Sequence, residues 1–326
     1  MNSTYIPKII ELDSIEKLPF RLFLLFLVVF LLLNCLISPL YVFVNKTNRP
    51  RDKTMLLYPT TNHFYEMTKK SFFTFFGLLF VIFCALLPEH FLPGDGYEKK
   101  LLLLITMAIT PICIYTQYII TQVFHLITLI LSLERFIVYF FPDSEKSVNT
   151  VQKVVFQHIY IVYGAFIGKD AGLLLFLFAW KKLDGEAILL IYSILYIVIN
   201  SCVILSGVLY IPIMISVRKL SNLASAQENT PQNYIFLQTI AVIVFKFIGL
   251  FPVILLAYEF TKEVVMLCIV LIAFLDLVGT PLMIQLSYLG CNKRNVKVML
   301  SSFDLKRFLI TILTNYYESN AVHPQN

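Results

Sequence analysis

Charge is scarce in this chain. Only 14% of its 326 residues are Asp, Glu, Lys or Arg, where a soluble protein carries about a quarter. Hydrophobic residues make up 58% and mean hydropathy is +0.79. No polar stretch is long enough for a separate soluble domain, so the composition predicts a single polytopic membrane domain. A disulfide framework is missing as well. Cys35, Cys84, Cys113, Cys202 and Cys268 all fall in apolar runs, where a thiol acts as a small hydrophobe. There is no CxxC, and His63, His90, His125, His158 and His323 have no metal-ligand spacing. Phosphate loops, dinucleotide-binding glycine patterns and nucleophile elbows are absent too. These absences argue against an enzyme, and no catalytic residue, cofactor or metal is expected. The net charge of +6 is read as basic loops facing anionic lipid, not as a nucleic-acid surface. Residues 1–18 lack the short apolar core and cleavage site of a signal peptide.

What the chain does have is seven apolar runs. They lie at about Phe20–Val44, Ser71–Leu92, Leu104–Phe140, Val154–Leu177, Ala187–Val217, Tyr234–Tyr258 and Val264–Tyr288, each near or above the ~20 residues that cross a bilayer. The expected fold is an all-α, seven-transmembrane helix bundle with residues 1–18 outside, 19–290 as the bundle and 291–326 as a cytoplasmic tail. Orientation follows from the basic residues. With the N-terminus outside, sixteen of the 26 Lys and Arg fall on the cytoplasmic side, six of them in the first loop. Asn2-Ser3-Thr4 is then a glycosylation sequon facing outward. After the last run, Val298, Leu305, Leu309 and Ile312 share one helical face and Lys297, Asp304 and Arg307 another, which predicts an amphipathic interfacial helix over 296–313. Cys291 stands just before it as a candidate for palmitoylation or an unmodified thiol.

The third run ends in Glu134-Arg135. Between Lys100 and Glu134 there is no charged residue, and an acid–guanidinium pair closing so long a span is either an interfacial anchor or a working site. The working reading is a switch: Arg135 held by Glu134 at rest and released to a cytoplasmic partner. Lys246 and Asp276 form a second constellation. Each lies 13 positions into its span from the acidic residues Glu259 and Glu263, about 20 Å deep on neighbouring antiparallel helices. Isolated charges at that depth are expensive, so mutual pairing is expected, as a structural ion pair or as a lock on the resting state. Lys169 and Asp170 are candidates for an outward ligand cavity, or simply mark a helix end. Pro212, Pro252 and Pro281 fall inside spans and predict kinks.

Seven spans, an outward N-terminus and an acid–Arg pair closing span three resemble G-protein-coupled receptors, with Asn34 and Pro281 in loose agreement. Several rhodopsin-type marks are missing. There is no cysteine between residues 169 and 186, no acid in span two, FIGLFP in span six, and no Tyr three residues after Pro281. The stretches NRPRDKTMLLYPTTNHFYEMTKKS (48–71) and TQVFHLITLILSLERFIVYFFPDSEK (121–146) are similar to nematode serpentine chemoreceptors of class Z. That family commonly has Gln where this chain has Glu134. The resemblance implies a chemosensory, multi-pass receptor of the plasma membrane or sensory cilium. Its implied partners are a small-molecule ligand and a heterotrimeric G protein, with Glu134 and Arg135 at the coupling position. A seven-span ligand-gated channel, a transporter and an intramembrane enzyme stay open as rivals.

Overall fold

The computed structural model of the chain describes residues 6–53, 58–91, 97–179, 185–220, 231–259 and 262–291. These form eight α-helices, and no strand occurs among the described residues. They are α1 (Ile6–Asp52), α2 (Tyr58–Phe91), α3 (Tyr97–Phe140), α4 (Glu145–Gln157), α5 (Ile159–Ala179), α6 (Gly185–Leu220), α7 (Pro231–Glu259) and α8 (Lys262–Gly290). In hydrocarbon every backbone polar group must be satisfied within its own segment, and helices achieve this locally. Among the described residues, α1, α3, α5, α6 and α8 each contain a stretch long and apolar enough to cross a membrane, and Tyr234–Ile248 of α7 is a shorter apolar stretch. Large apolar side chains such as Leu36, Phe80 and Leu175 stay exposed on the outside of the bundle. In a soluble protein such a surface would aggregate; in a bilayer it faces lipid.

Helix α3 is the hub, touching α2, α5, α6, α7 and α8, while α1 and α7 pack on α8. Close approach of α7 to α8 depends on Gly279, where a Cβ would come within 2.3 Å of the Phe245 ring. Small residues at such crossings let helix backbones approach closely where no hydrophobic force drives association.

The helices depart from the sequence expectation in two places. The fourth span begins at Ile159, not Val154, because the apolar run is interrupted at His158. Upstream lies α4, a 13-residue amphipathic helix, too short to cross a bilayer. Its Gln152 is buried and donates to Thr60 Oγ1 of α2 at 3.1 Å, and Phe156 packs on the His63 ring, centroids 5.9 Å apart. Burial pushes His63 down to about 4, so its imidazole is neutral at this junction. Helix α3 stops at Phe140 because Phe141 precedes Pro142 and is driven out of the helical region, with φ −131° and ψ 77°. The second departure is at the start: the chain is helical from Ile6, within the segment expected as an outer tail. Both Asn2 and the interfacial helix expected over 296–313 lie outside the described residues.

Candidate functional site

Two layers of polar side chains cross the interior, and both begin with a residue that hydrocarbon alone would reject. The first is the kink in α8. Pro281 has no N–H, so the carbonyl of Leu277, four residues earlier, loses its helical partner. Gln117 of α3 supplies the replacement, Nε2 donating to Leu277 O at 2.8 Å, and Thr74 Oγ1 of α2 donates to Gln117 Oε1 at 3.2 Å. Asn34 of α1 donates to the next carbonyl, Val278 O, at 3.0 Å and to Phe30 O of its own helix at 2.8 Å. Four helices are thereby tied to one proline. Gln117→Leu should lower the melting temperature of the purified protein, at a cost of about 1–2 kcal/mol for a stranded carbonyl. In a Pro281→Ala background the restored N–H takes that carbonyl, and the same substitution should cost clearly less. Equal losses in the two backgrounds would detach Gln117 from the kink.

The second layer is Lys246 of α7 and Asp276 of α8, 1% and 2% exposed. Lys246 Nζ donates to Asp276 Oδ2, and Tyr196 OH of α6 donates to the same oxygen at 2.7 Å. The ammonium also lies 5.6 Å from the centre of the Tyr196 ring. The pair is thus joined across α7 and α8 and clamped by α6. Beside it opens a cavity of about 120 Å³ whose lining includes Thr121, Gln122 and His125 from α3, Tyr196 from α6, and Ala273 and Asp276 from α8. Three buried atoms of that lining have no hydrogen-bond partner: Thr121 Oγ1, His125 Nε2 and Asp276 Oδ1. The surface that the hollow itself presents is almost wholly apolar, so these atoms lie behind its wall.

Lys169 and Asp170 lie next to this cavity, not in its lining. Lys169 Nζ donates to Gln122 Oε1 at 3.1 Å and lies 3.1 Å from Asp170 Oδ1, while Tyr115 OH donates to Asp170 Oδ2 at 3.2 Å. They clamp α5 to α3 and reach the cavity only through Gln122. Glu134 and Arg135 make no contact of salt-bridge length, although the guanidinium still acts electrostatically on the carboxyl. Glu134 is buried and Arg135 half-buried, and Glu134 Oε1 and Arg135 Nε are both without a partner. The reason is helical geometry: consecutive residues point about 100° apart and cannot face each other. Pro212 and Pro281 lie within α6 and α8, and Pro252 falls within the bounds of α7. Pro111 lies inside α3, and the bounds of α1 and α2 enclose Pro39 and Pro88; none of these three was singled out from the sequence. Cys291 packs against the core cluster, its Sγ 3.1 Å from Tyr288 O. Burial, with the Asp52 carboxylate nearby, pushes the thiol up to about 12, which disfavours the thiolate that acylation requires.

Seven long helices around a polar interior, with a short amphipathic helix laid against α2, define a seven-helix membrane protein with an internal cavity. The family described as "Serpentine type 7TM GPCR chemoreceptor Srz" matches residues 24–293. The chain belongs to that family of seven-transmembrane chemoreceptors. No curated protein and no solved structure matches it.

Proposed function

We propose that this chemoreceptor has its N-terminus outside the plasma membrane, sensory cilia included. In this reading it binds a small chemical cue in the cavity between α3, α6 and α8 and signals to a heterotrimeric G protein at the far end of α3. The observation that carries the reading is the cavity itself, lined by α3, α6 and α8 with Asp276 of the buried ion pair among its lining residues. A ligand that fits this hollow better in one packing of α3, α6 and α8 than in another shifts the balance between them, and only such differential contact shifts a two-state equilibrium. The Lys246–Asp276 pair joins α7 to α8 beside the cavity, so a ligand there sits against the joint. Prolines in α6, α7 and α8 permit the repacking. Arg135, half-buried near the end of α3, is the residue for the G protein to meet, with Glu134 shaping the surface beside it.

The experiment is cue-stimulated nucleotide exchange in cells co-expressing a panel of G-protein α-subunits. Ligand-dependent exchange with at least one subunit is expected. A cue that evoked membrane current with no exchange on any subunit would replace this reading with a ligand-gated channel.

A further inference from the structure

The wall of the cavity also restricts what can enter it; this step rests on the cavity being the ligand site. We infer that the hollow between α3, α6 and α8 takes an apolar, uncharged compound of about six non-hydrogen atoms and rejects polar or charged ones of the same size. Size comes first. An engineered apolar cavity of about 150 Å³ holds benzene, and this one is about 120 Å³, so a single ring fills it.

The wall is apolar because of where the lining residues send their polar ends. Tyr196 OH of α6 donates to Asp276 Oδ2 at 2.7 Å, and Lys246 Nζ donates to the same oxygen. Gln122 Oε1 of α3 accepts from Lys169 Nζ at 3.1 Å. Thr121 Oγ1, His125 Nε2 and Asp276 Oδ1 lie behind the wall with almost no accessible surface. What faces the hollow is almost wholly apolar, with Ile199 of α6 and Val270 and Leu277 of α8 contributing aliphatic surface.

Selectivity follows from what each kind of ligand gives up. A polar compound leaves its hydrogen bonds to water behind and meets almost no donor or acceptor in exchange, at a cost of about tenfold or more in affinity. An ion loses more, because the charges of Lys246 and Asp276 are committed to each other; at mid-membrane depth the penalty is on the order of a hundredfold. For an apolar compound the balance reverses. A stable buried water needs about two to four polar partners, which this wall does not present, so a hydrocarbon displaces no well-bonded water. It loses no hydrogen bond of its own and gains contact with the aliphatic wall.

The full chain in lipid nanodiscs would be equilibrated by sealed dialysis with three probes of matched size: benzene, pyridine and cyclopentylammonium. The pH is mildly alkaline, so that pyridine is uncharged, and empty nanodiscs supply the blank for uptake by lipid. Benzene is expected to bind saturably, about tenfold or more tighter than pyridine and about a hundredfold tighter than cyclopentylammonium. Ala273→Phe, which fills the hollow, should abolish saturable binding. Val270→Thr keeps the side-chain size and puts a hydroxyl on the wall, so it should narrow the benzene–pyridine ratio severalfold; this reads the wall even if Ala273→Phe does not fold. The inference is overturned by pyridine or cyclopentylammonium binding as tightly as benzene, or by no saturable binding of benzene. Benzene binding that survives in a folded Ala273→Phe protein, or a ratio unmoved by Val270→Thr, overturns it as well. Nucleotide exchange measured in parallel separates this from the receptor reading. Benzene binding that drives no exchange on any subunit counts against receptor function and leaves the ligand class standing. Exchange driven by a charged cue, with no benzene bound, does the reverse.

Discussion

Lys246→Met should nearly eliminate folded protein from the membrane. The substitution keeps length and apolar bulk but leaves Asp276, 2% exposed, with Tyr196 as its remaining side-chain partner. Removing one member of a buried pair typically costs about 3–5 kcal/mol, against a total stability of about 5–15 kcal/mol. Asp276→Leu alone should do comparable damage by stranding the ammonium. Lys246→Met combined with Asp276→Leu should recover most of the loss, because two apolar residues in place of a buried pair are often neutral or better. Size-exclusion yield and melting temperature of the three variants in one detergent provide the check. Full stability in Lys246→Met would mean the pair does not hold the bundle. A stable double variant has a second use: it should fold yet respond poorly to ligand, since it lacks the ion pair that joins α7 to α8 beside the cavity.

Arg135→Ala carries the largest functional expectation. Ligand affinity should stay near wild type, because Arg135 at the end of α3 is remote from Thr121 and His125. Cue-stimulated exchange should fall at least tenfold, as expected when a charged group is removed from a protein–protein contact. Glu134→Gln is the informative companion. With no Glu134–Arg135 ion pair to break, it should leave basal exchange unchanged, whereas a resting latch would make Glu134→Gln constitutively active. If Arg135→Ala lowered surface expression with coupling per receptor intact, Arg135 would be an interfacial anchor instead.

The limits of the sequence reading have physical causes. The bilayer requires long apolar helices, so α1, α3, α5, α6 and α8 could be located from hydropathy. Equal depth placed Lys246 and Asp276 at one level, because a helix advances a fixed distance per residue. Tyr196 was missed since a tyrosine in an apolar span carries no mark of which neighbour it serves. Gln117 was equally silent: its role comes from the carbonyl of Leu277, 160 positions away along the chain, which Pro281 leaves without a helical partner. His125 attracted notice only as a non-ligand, and its place at the cavity depends on how α3 rotates against α8. Val154, Val155 and Phe156 merged α4 into the next span, although Lys146 and Lys153 mark the polar face of a separate amphipathic helix. Glu134 and Arg135 are neighbours in sequence, and adjacency in a helix keeps the two side chains out of direct contact while leaving their charges near each other.

Which side of the membrane Arg135 faces bears on every part of this account. The direct measurement is antibody access in intact cells to one epitope at residue 1 and another at residue 326. N-terminal staining is expected without permeabilisation, and C-terminal staining only after it. The reverse pattern would put Arg135 outside the cell, contradict the coupling role and turn attention to a channel.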